Sequence, residues 1–266
     1  MAKICFVLGA GGARGISHVG FLQAMEENGI KPDFIAGCSM GSVVGACYAS
    51  GMSPSKMMEV VKGLKMSDIA DASLFPFNKQ SLLRSVKLRK KLSEVIGNVE
   101  FKDLKIPFEC IAADIVAGEV VVLKEGLVLE AVHASSAIPG VFKPVEKDGK
   151  VLVDGGTFMP LPLNCVNDFD ADVVIVVDVL GPLQEYKPKG LLSHILRVVD
   201  ANSCYLKNRQ LKGYKHDVLI VPELGDMSQF KAENFNFAYE QGYKAGIENI
   251  EKIKKIIDKG SATISD

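Results

Sequence analysis

The pentapeptide Gly37-Cys38-Ser39-Met40-Gly41 constrains this chain more than any other stretch. It reads G-x-S-x-G. It sits where an apolar run over residues 33–38 meets a small-residue helical pattern over 41–50. A serine placed there occupies a sharp strand-to-helix turn, with its hydroxyl raised above a sheet edge. A side chain at Gly37 or Gly41 would crowd that turn. Ser39 is therefore a candidate nucleophile. The rest of the chain must supply a group that activates it and groups that stabilise an oxyanion.

The residues around this turn alternate cleanly. Residues 3–8 form a continuous apolar run, the pattern of a strand covered on both faces. A glycine-rich loop follows over 9–15. An amphipathic helix over 17–28 is then stopped by Gly29 and Pro32. The second strand leads to Ser39, and the second helix ends at Gly51. This β-loop-α-β-turn-α order begins a parallel sheet with right-handed crossovers. Downstream, Ser53-Pro54 starts a helix that runs to about Lys65. Residues 68–79 read as a loop or lid, and 80–96 as a basic amphipathic helix. Strands are expected over 108–116 and 119–124, with Ala117-Gly118 as the turn between them. Helices are expected over 127–135, 191–211 and 237–258. Further strands are expected over 150–153, 173–179 (a central one) and 218–221. No repeat or linker interrupts the chain, so residues 1–259 read as one domain, with a frayed tail over 260–266.

Composition removes several classes of function. The net charge of −1 gives no pull toward nucleic acid. No apolar run reaches the roughly 18 residues of a membrane span. The N-terminal run from Met1 to Leu8 is broken by the glycine loop and has no cleavage site, so it reads as the first strand of a cytoplasmic protein. The six cysteines form no C-x-x-C pair, and most lie in apolar runs, which points to reduced, buried thiols. Four scattered histidines make zinc improbable, and no calcium-loop pattern occurs. Activity without metal or cofactor is expected.

The loop Gly9-Ala10-Gly11-Gly12-Ala13-Arg14-Gly15 fails the dinucleotide fingerprint, because Arg14 stands at its sixth position. It also lacks the Lys-Ser/Thr of a P-loop. It is either a tight turn without chemistry or a nest of N–H donors for an oxyanion. Beside an exposed serine the second reading is favoured. Arg14 is expected to close the loop by bonding carbonyls. An isolated serine hydroxyl needs a base. His18, His133, His194 and His216 each read as packing or surface residues; His18 is the least settled because it follows the glycine loop so closely. Asp154, in Val151-Leu152-Val153-Asp154-Gly155-Gly156, ends an apolar strand. Burial there would raise its proton affinity and suit it to act as a base. Standing alone, Asp154-Gly155-Gly156 would read as a hairpin turn.

Four ordered blocks resemble the patatin-like phospholipases: Gly9 to Gly15, Gly37 to Gly41, Ala134-Ser135-Ser136-Ala137-Ile138-Pro139, and Asp154-Gly155-Gly156. The likeness is close over about the first 160 residues and carries no departure at the motif positions. It extends to the neuropathy-target-esterase-like members. The resemblance implies an α/β fold of three layers, α/β/α, around a central, mostly parallel sheet. It implies a Ser-Asp dyad, with Ser39 as nucleophile and Asp154 as base. Gly11, Gly12 and Met40 would supply oxyanion donors, supported by Gly9, Arg14, Gly15, Gly37, Gly41, Gly155 and Gly156. The block 134–139 would shape the pocket wall.

The expected chemistry is hydrolysis of fatty-acyl esters of phospholipids or lysophospholipids. Soluble thioesters or carboxylesters need the same nucleophile and hole and remain open as substrates, as does a non-enzymatic protein on the same fold. A Ser-acid-His hydrolase would require His194 or His216 to be essential. Met52, Met57, Met58 and residues 74–77 either line an acyl groove or pack helices. The cluster Arg84, Lys87, Arg89, Lys90 and Lys91 either meets anionic lipid headgroups at a membrane surface or forms a solvated helix face. The sequence carries no signal for oligomeric state.

Overall fold

Apolar runs of five residues have room for two buried faces and little else, and they condense here into one sheet. The computed structural model of the chain describes residues 2–63, 79–185, 190–229 and 234–263. Strand β1 (Ile4–Leu8) is buried at every position. It pairs in parallel with β2 (Phe34–Cys38) on one edge and with β7 (Val173–Val177) on the other. β7 in turn pairs in parallel with β8 (Val218–Ile220), so it is interior to the sheet, one strand from the edge.

Strand β3 (Phe108–Asp114) carries three partners. Its first half runs parallel to β2, with Cys38 opposite Ile111. Its second half runs antiparallel to β6 (Lys150–Asp154), with Asp154 opposite Ala112. β4 (Glu119–Leu123) pairs antiparallel along residues that face both of these strands. Cys110 faces Gly37 and Leu123, and Ala112 faces Asp154 and Val121. A strand residue has two edges, so β4 holds one edge of β3 while β2 and β6 share the other. These two strands run toward each other and meet end to end at the step from Ile111 to Ala112. The C-terminal residues of β2 and β6 are thereby brought together. The sheet is parallel from β3 through β2, β1, β7 and β8, with an antiparallel flank formed by β4, β5 and β6.

β5 (Val145–Lys147) and its hairpin with β6 were not expected from the sequence. Lys147 pairs with Lys150 across Asp148 and Gly149, whose φ angles are 49° and 76°. Two positive φ angles in a two-residue loop are the type I′ turn that Asp-Gly favours. The hairpin turn is therefore Asp148-Gly149. Asp154-Gly155-Gly156 instead leads from β6 into a 3-10 turn over Gly155–Thr157.

Alternate strand residues face two layers. Ile4, Phe6 and Leu8 pack with α1 (Ser17–Glu27), α2 (Met40–Ala49), α3 (Pro54–Gly63) and α7 (Phe235–Thr263). Cys5 and Val7 pack against Met159, Leu161, Leu163 and Cys165 and against Leu211 of α6 (Leu191–Gly213). α4 (Lys79–Ile96) and α5 (Val128–Ser135) complete the first layer. The architecture is the expected three-layer α/β/α. Aspartates end two strands early. Asp114 Oδ1 accepts the Val116 N–H at 3.0 Å, and Asp178 Oδ1 accepts those of Leu180 and Gly181. Asp178 also meets Lys207 Nζ of α6 at 2.5 Å, with both side chains buried. α7 continues through Thr263, past Gly260, where a tail was expected. The expected loop or lid over 68–79 lies outside the described residues except for Lys79, which opens α4. No helix of the described residues is long and apolar enough to cross a membrane.

Candidate active site

Ser39 follows β2 with φ 53° and ψ −123°. Such a conformation is strained for a residue with a side chain and costs roughly 1–3 kcal/mol. The surroundings hold it. Ser39 N–H donates to Ser135 Oγ at 3.0 Å, while Ser42 Oγ and Ser136 Oγ donate to the Ser39 carbonyl at 2.6 and 3.4 Å. Gly41 allows the next turn to close, because a Cβ there would lie 2.1 Å from the Leu8 carbonyl oxygen. Ser135 and Ser136 thus brace the turn, a role the sequence did not reveal. Their place inside the block 134–139, otherwise expected only to shape a wall, was the available clue.

Asp154 ends β6 and arrives at Ser39 because β2 and β6 abut along β3. Ser39 Oγ donates to Asp154 Oδ2 at 2.5 Å. Asp154 Oδ1 accepts the Gly156 N–H at 2.8 Å. Both residues are buried, at 4% and 6% exposure, so bulk water competes little for the carboxylate. Burial raises the Asp154 pKa to about 6; the bonds from Ser39 and Gly156 work against that rise without cancelling it. The direct contact leaves no imidazole between hydroxyl and carboxylate.

The glycine loop crosses beside them. Arg14 Nε donates to the Met227 carbonyl at 2.5 Å and Nη1 to the Leu180 carbonyl at 2.6 Å. These bonds tie the loop to carbonyls of the last third of the chain. Among the described residues, no acceptor takes the N–H groups of Gly11, Gly12 or Met40, whereas those of Gly9, Ala10, Ala13 and Arg14 are bonded. Met40 opens α2, so the positive end of that helix dipole also falls at this place. Free N–H groups at a helix N-terminus, beside a serine hydroxyl bonded to a carboxylate, can hold negative charge on an oxygen placed there. Gly15 packs against the Met40 side chain, and Gly155 and Gly156 form the turn after Asp154.

The remaining candidates lie elsewhere or serve other ends. His133 is buried on α5, and burial lowers its pKa. His194 Nδ1 lies 2.9 Å from the Gly190 carbonyl and His216 Nδ1 3.2 Å from that of Tyr214. Met57 and Met58 are buried in the core and Met52 packs against it, which is helix packing; residues 74–77 lie outside the described residues. On α4, Lys87, Arg89 and Lys90 are exposed, and Arg89 pairs with Glu130. All six cysteines are free thiols, five of them buried.

A family model described as patatin-like phospholipase matches residues 6–165. An uncharacterized NTE family protein of Mycobacterium bovis is 34% identical over 205 residues, covering 76% of this chain and 57% of its own length. Lysophospholipase NTE1 of Cryptococcus neoformans is 33% identical over 193 residues, which are 70% of this chain and 12% of that protein. The chain therefore spans little more than half of the first relative and a small part of the second. Among solved structures, VipD from Legionella pneumophila matches with a TM-score of 0.60 at 14% identity, over 97% of this chain and 67% of that one, a likeness of fold.

Proposed function

Since the chain belongs to the patatin-like phospholipase family, we propose that it is a serine acyl hydrolase that cleaves fatty-acyl esters of phospholipids or lysophospholipids with Ser39 and Asp154. The observation that carries this reading is the 2.5 Å bond between a carboxylate and the hydroxyl of a strained turn residue. Asp154 Oδ2 takes the hydroxyl proton as Ser39 Oγ attacks the ester carbonyl. The N–H groups of Gly11, Gly12 and Met40 receive the oxyanion; one such donor is worth roughly 3–4 kcal/mol in kcat. Collapse of the intermediate expels the lysolipid or glycerophosphodiester alkoxide, which takes the proton back from Asp154. Water then attacks the acyl-serine, Asp154 again accepts a proton, and the fatty acid leaves with Ser39 restored.

The lysophospholipase name of the fungal relative supports the substrate class. Its test is a panel of lysophospholipid, diacyl phospholipid, acyl-CoA and p-nitrophenyl ester under one set of conditions. The lipid esters are expected to give the highest kcat/KM. A preference for acyl-CoA would replace the lipid reading with a thioesterase. In the same assay Ser39→Ala and Asp154→Asn should each remove nearly all turnover, and the double variant should be little worse than either, because the pair acts as a unit.

A further inference from the structure

His18 lies in the first turn of α1, fully buried beneath the glycine loop. Its Nε2 is 2.8 Å from the Gly9 carbonyl oxygen. A carbonyl oxygen only accepts, so Nε2 carries the proton and Nδ1 is the bare nitrogen. Nδ1 is buried with no partner among the described residues. An imidazolium would need an acceptor there, and burial pushes the His18 pKa down to about 4. The ring is therefore a neutral donor with one direction of donation. A leucine in this place would pack without stranding a nitrogen, so the bond to Gly9 is what the imidazole adds.

That bond falls at a particular point of the loop. The Gly9 carbonyl and the Ala10 N–H are the two ends of one peptide plane. The Ala10 N–H donates to the Pro160 carbonyl at 2.8 Å, so the plane is clamped from both ends. On the far side, the Ala13 N–H donates to the Gln229 carbonyl at 2.9 Å. Between these two clamps lie the N–H groups of Gly11 and Gly12, which have no acceptor among the described residues. With the chain fixed on both sides, little freedom remains in where they point. The ring also sits where the loop meets the serine turn. A Cβ built on Gly15 would lie 3.7 Å from His18 Cδ2 and 2.4 Å from Met40 Cγ.

We propose that His18 is a positioning residue of the oxyanion loop, donating from Nε2 to the Gly9 carbonyl and so fixing the peptide plane from which the Gly11 and Gly12 N–H groups are aimed. The inference rests on the Ser39–Asp154 reading given above. His18 touches no substrate atom; it acts through the backbone it holds.

The test compares His18→Leu, His18→Gln and His18→Asn in the full chain with a p-nitrophenyl ester, together with the rate of Ser39 phosphonylation by a fluorophosphonate. The Leu variant removes the donor and keeps the bulk. It is expected to lower kcat about 10- to 100-fold with KM nearly unchanged, as for a misaimed hole. Phosphonylation, which needs the same donors, should slow in step. The amide of Gln reaches the position of Nε2 and should recover most of the rate, whereas that of Asn, one methylene shorter, should not. If the Leu variant does not fold, the contrast between Gln and Asn decides the matter. Wild-type kcat in the Leu variant, or equal kcat in Gln and Asn, overturns the inference while leaving a labelled wild type and its dyad intact. A wild type that is not labelled at Ser39 overturns the dyad and this inference together.

Discussion

Ser39 and Asp154 are each held by bonds that do not depend on a substrate. Ser39 is gripped through its N–H by Ser135 and through its carbonyl by Ser42, so its hydroxyl projects from a backbone that cannot relax to an ordinary φ. Asp154 is oriented by the Gly156 N–H, which leaves Oδ2 for the serine. Its raised pKa has a direct kinetic consequence. A base must be ionised to accept a proton, so activity is present above the folded pKa and lost as pH falls through it. The kcat/KM profile should show an acid limb near pH 6. A limb near the ordinary aspartate value of 3.8 would mean that Asp154 is solvated or is not the base. At this scale the sequence singled out Ser39 and Asp154, the residues proposed to react, and the glycines of the turn, because G-x-S-x-G and an aspartate at a strand end are written in residue types. It did not show Ser135 and Ser42 as braces. Serines make such bonds only when a distant backbone group comes within reach, and that is a tertiary fact.

Between elements, Ser39 and Asp154, the proposed dyad, meet through the sharing of one edge of β3. β2 ends opposite Ile111 and β6 ends opposite Ala112. The alternation of apolar runs made the parallel core legible, since continuous burial on both faces leaves its mark on composition. Register and direction left no such mark. The hairpin that reverses the chain into β6 was missed even though Asp148-Gly149 carries its turn chemistry, because β5 is three residues long and its flanks are charged. Helix packing depends on equally local detail. A Cβ on Gly20 of α1 would lie 1.9 Å from the Tyr239 carbonyl oxygen, and one on Gly242 of α7 1.9 Å from that of Ser17. The two helix backbones therefore touch. Gly20→Ala should force them apart and destabilise the fold by about 1–3 kcal/mol, as overpacking does. A urea midpoint measurement checks this; an unchanged midpoint would mean that α7 moves away freely.

Across the whole molecule, the family match ends at residue 165, and the four sequence blocks lie within it. The remainder does more than cover the sheet. β7, β8, α6 and α7 close the two layers. The carbonyls of Leu180, Met227 and Gln229 receive the Arg14 guanidinium and the Ala13 N–H, so the glycine loop is shaped by the last third of the chain. Carbonyl acceptors are common to every residue type, which is why this half of the site was invisible in the sequence. The proposed chemistry turns on activation of Ser39 by Asp154. Its most direct test is phosphonylation by a fluorophosphonate, followed by intact mass and peptide mapping. A single adduct is expected on Ser39, absent from Ser39→Ala and formed roughly 100-fold or more slowly in Asp154→Asn. An adduct on another residue, or an Asp154→Asn protein labelled at the wild-type rate, would contradict it.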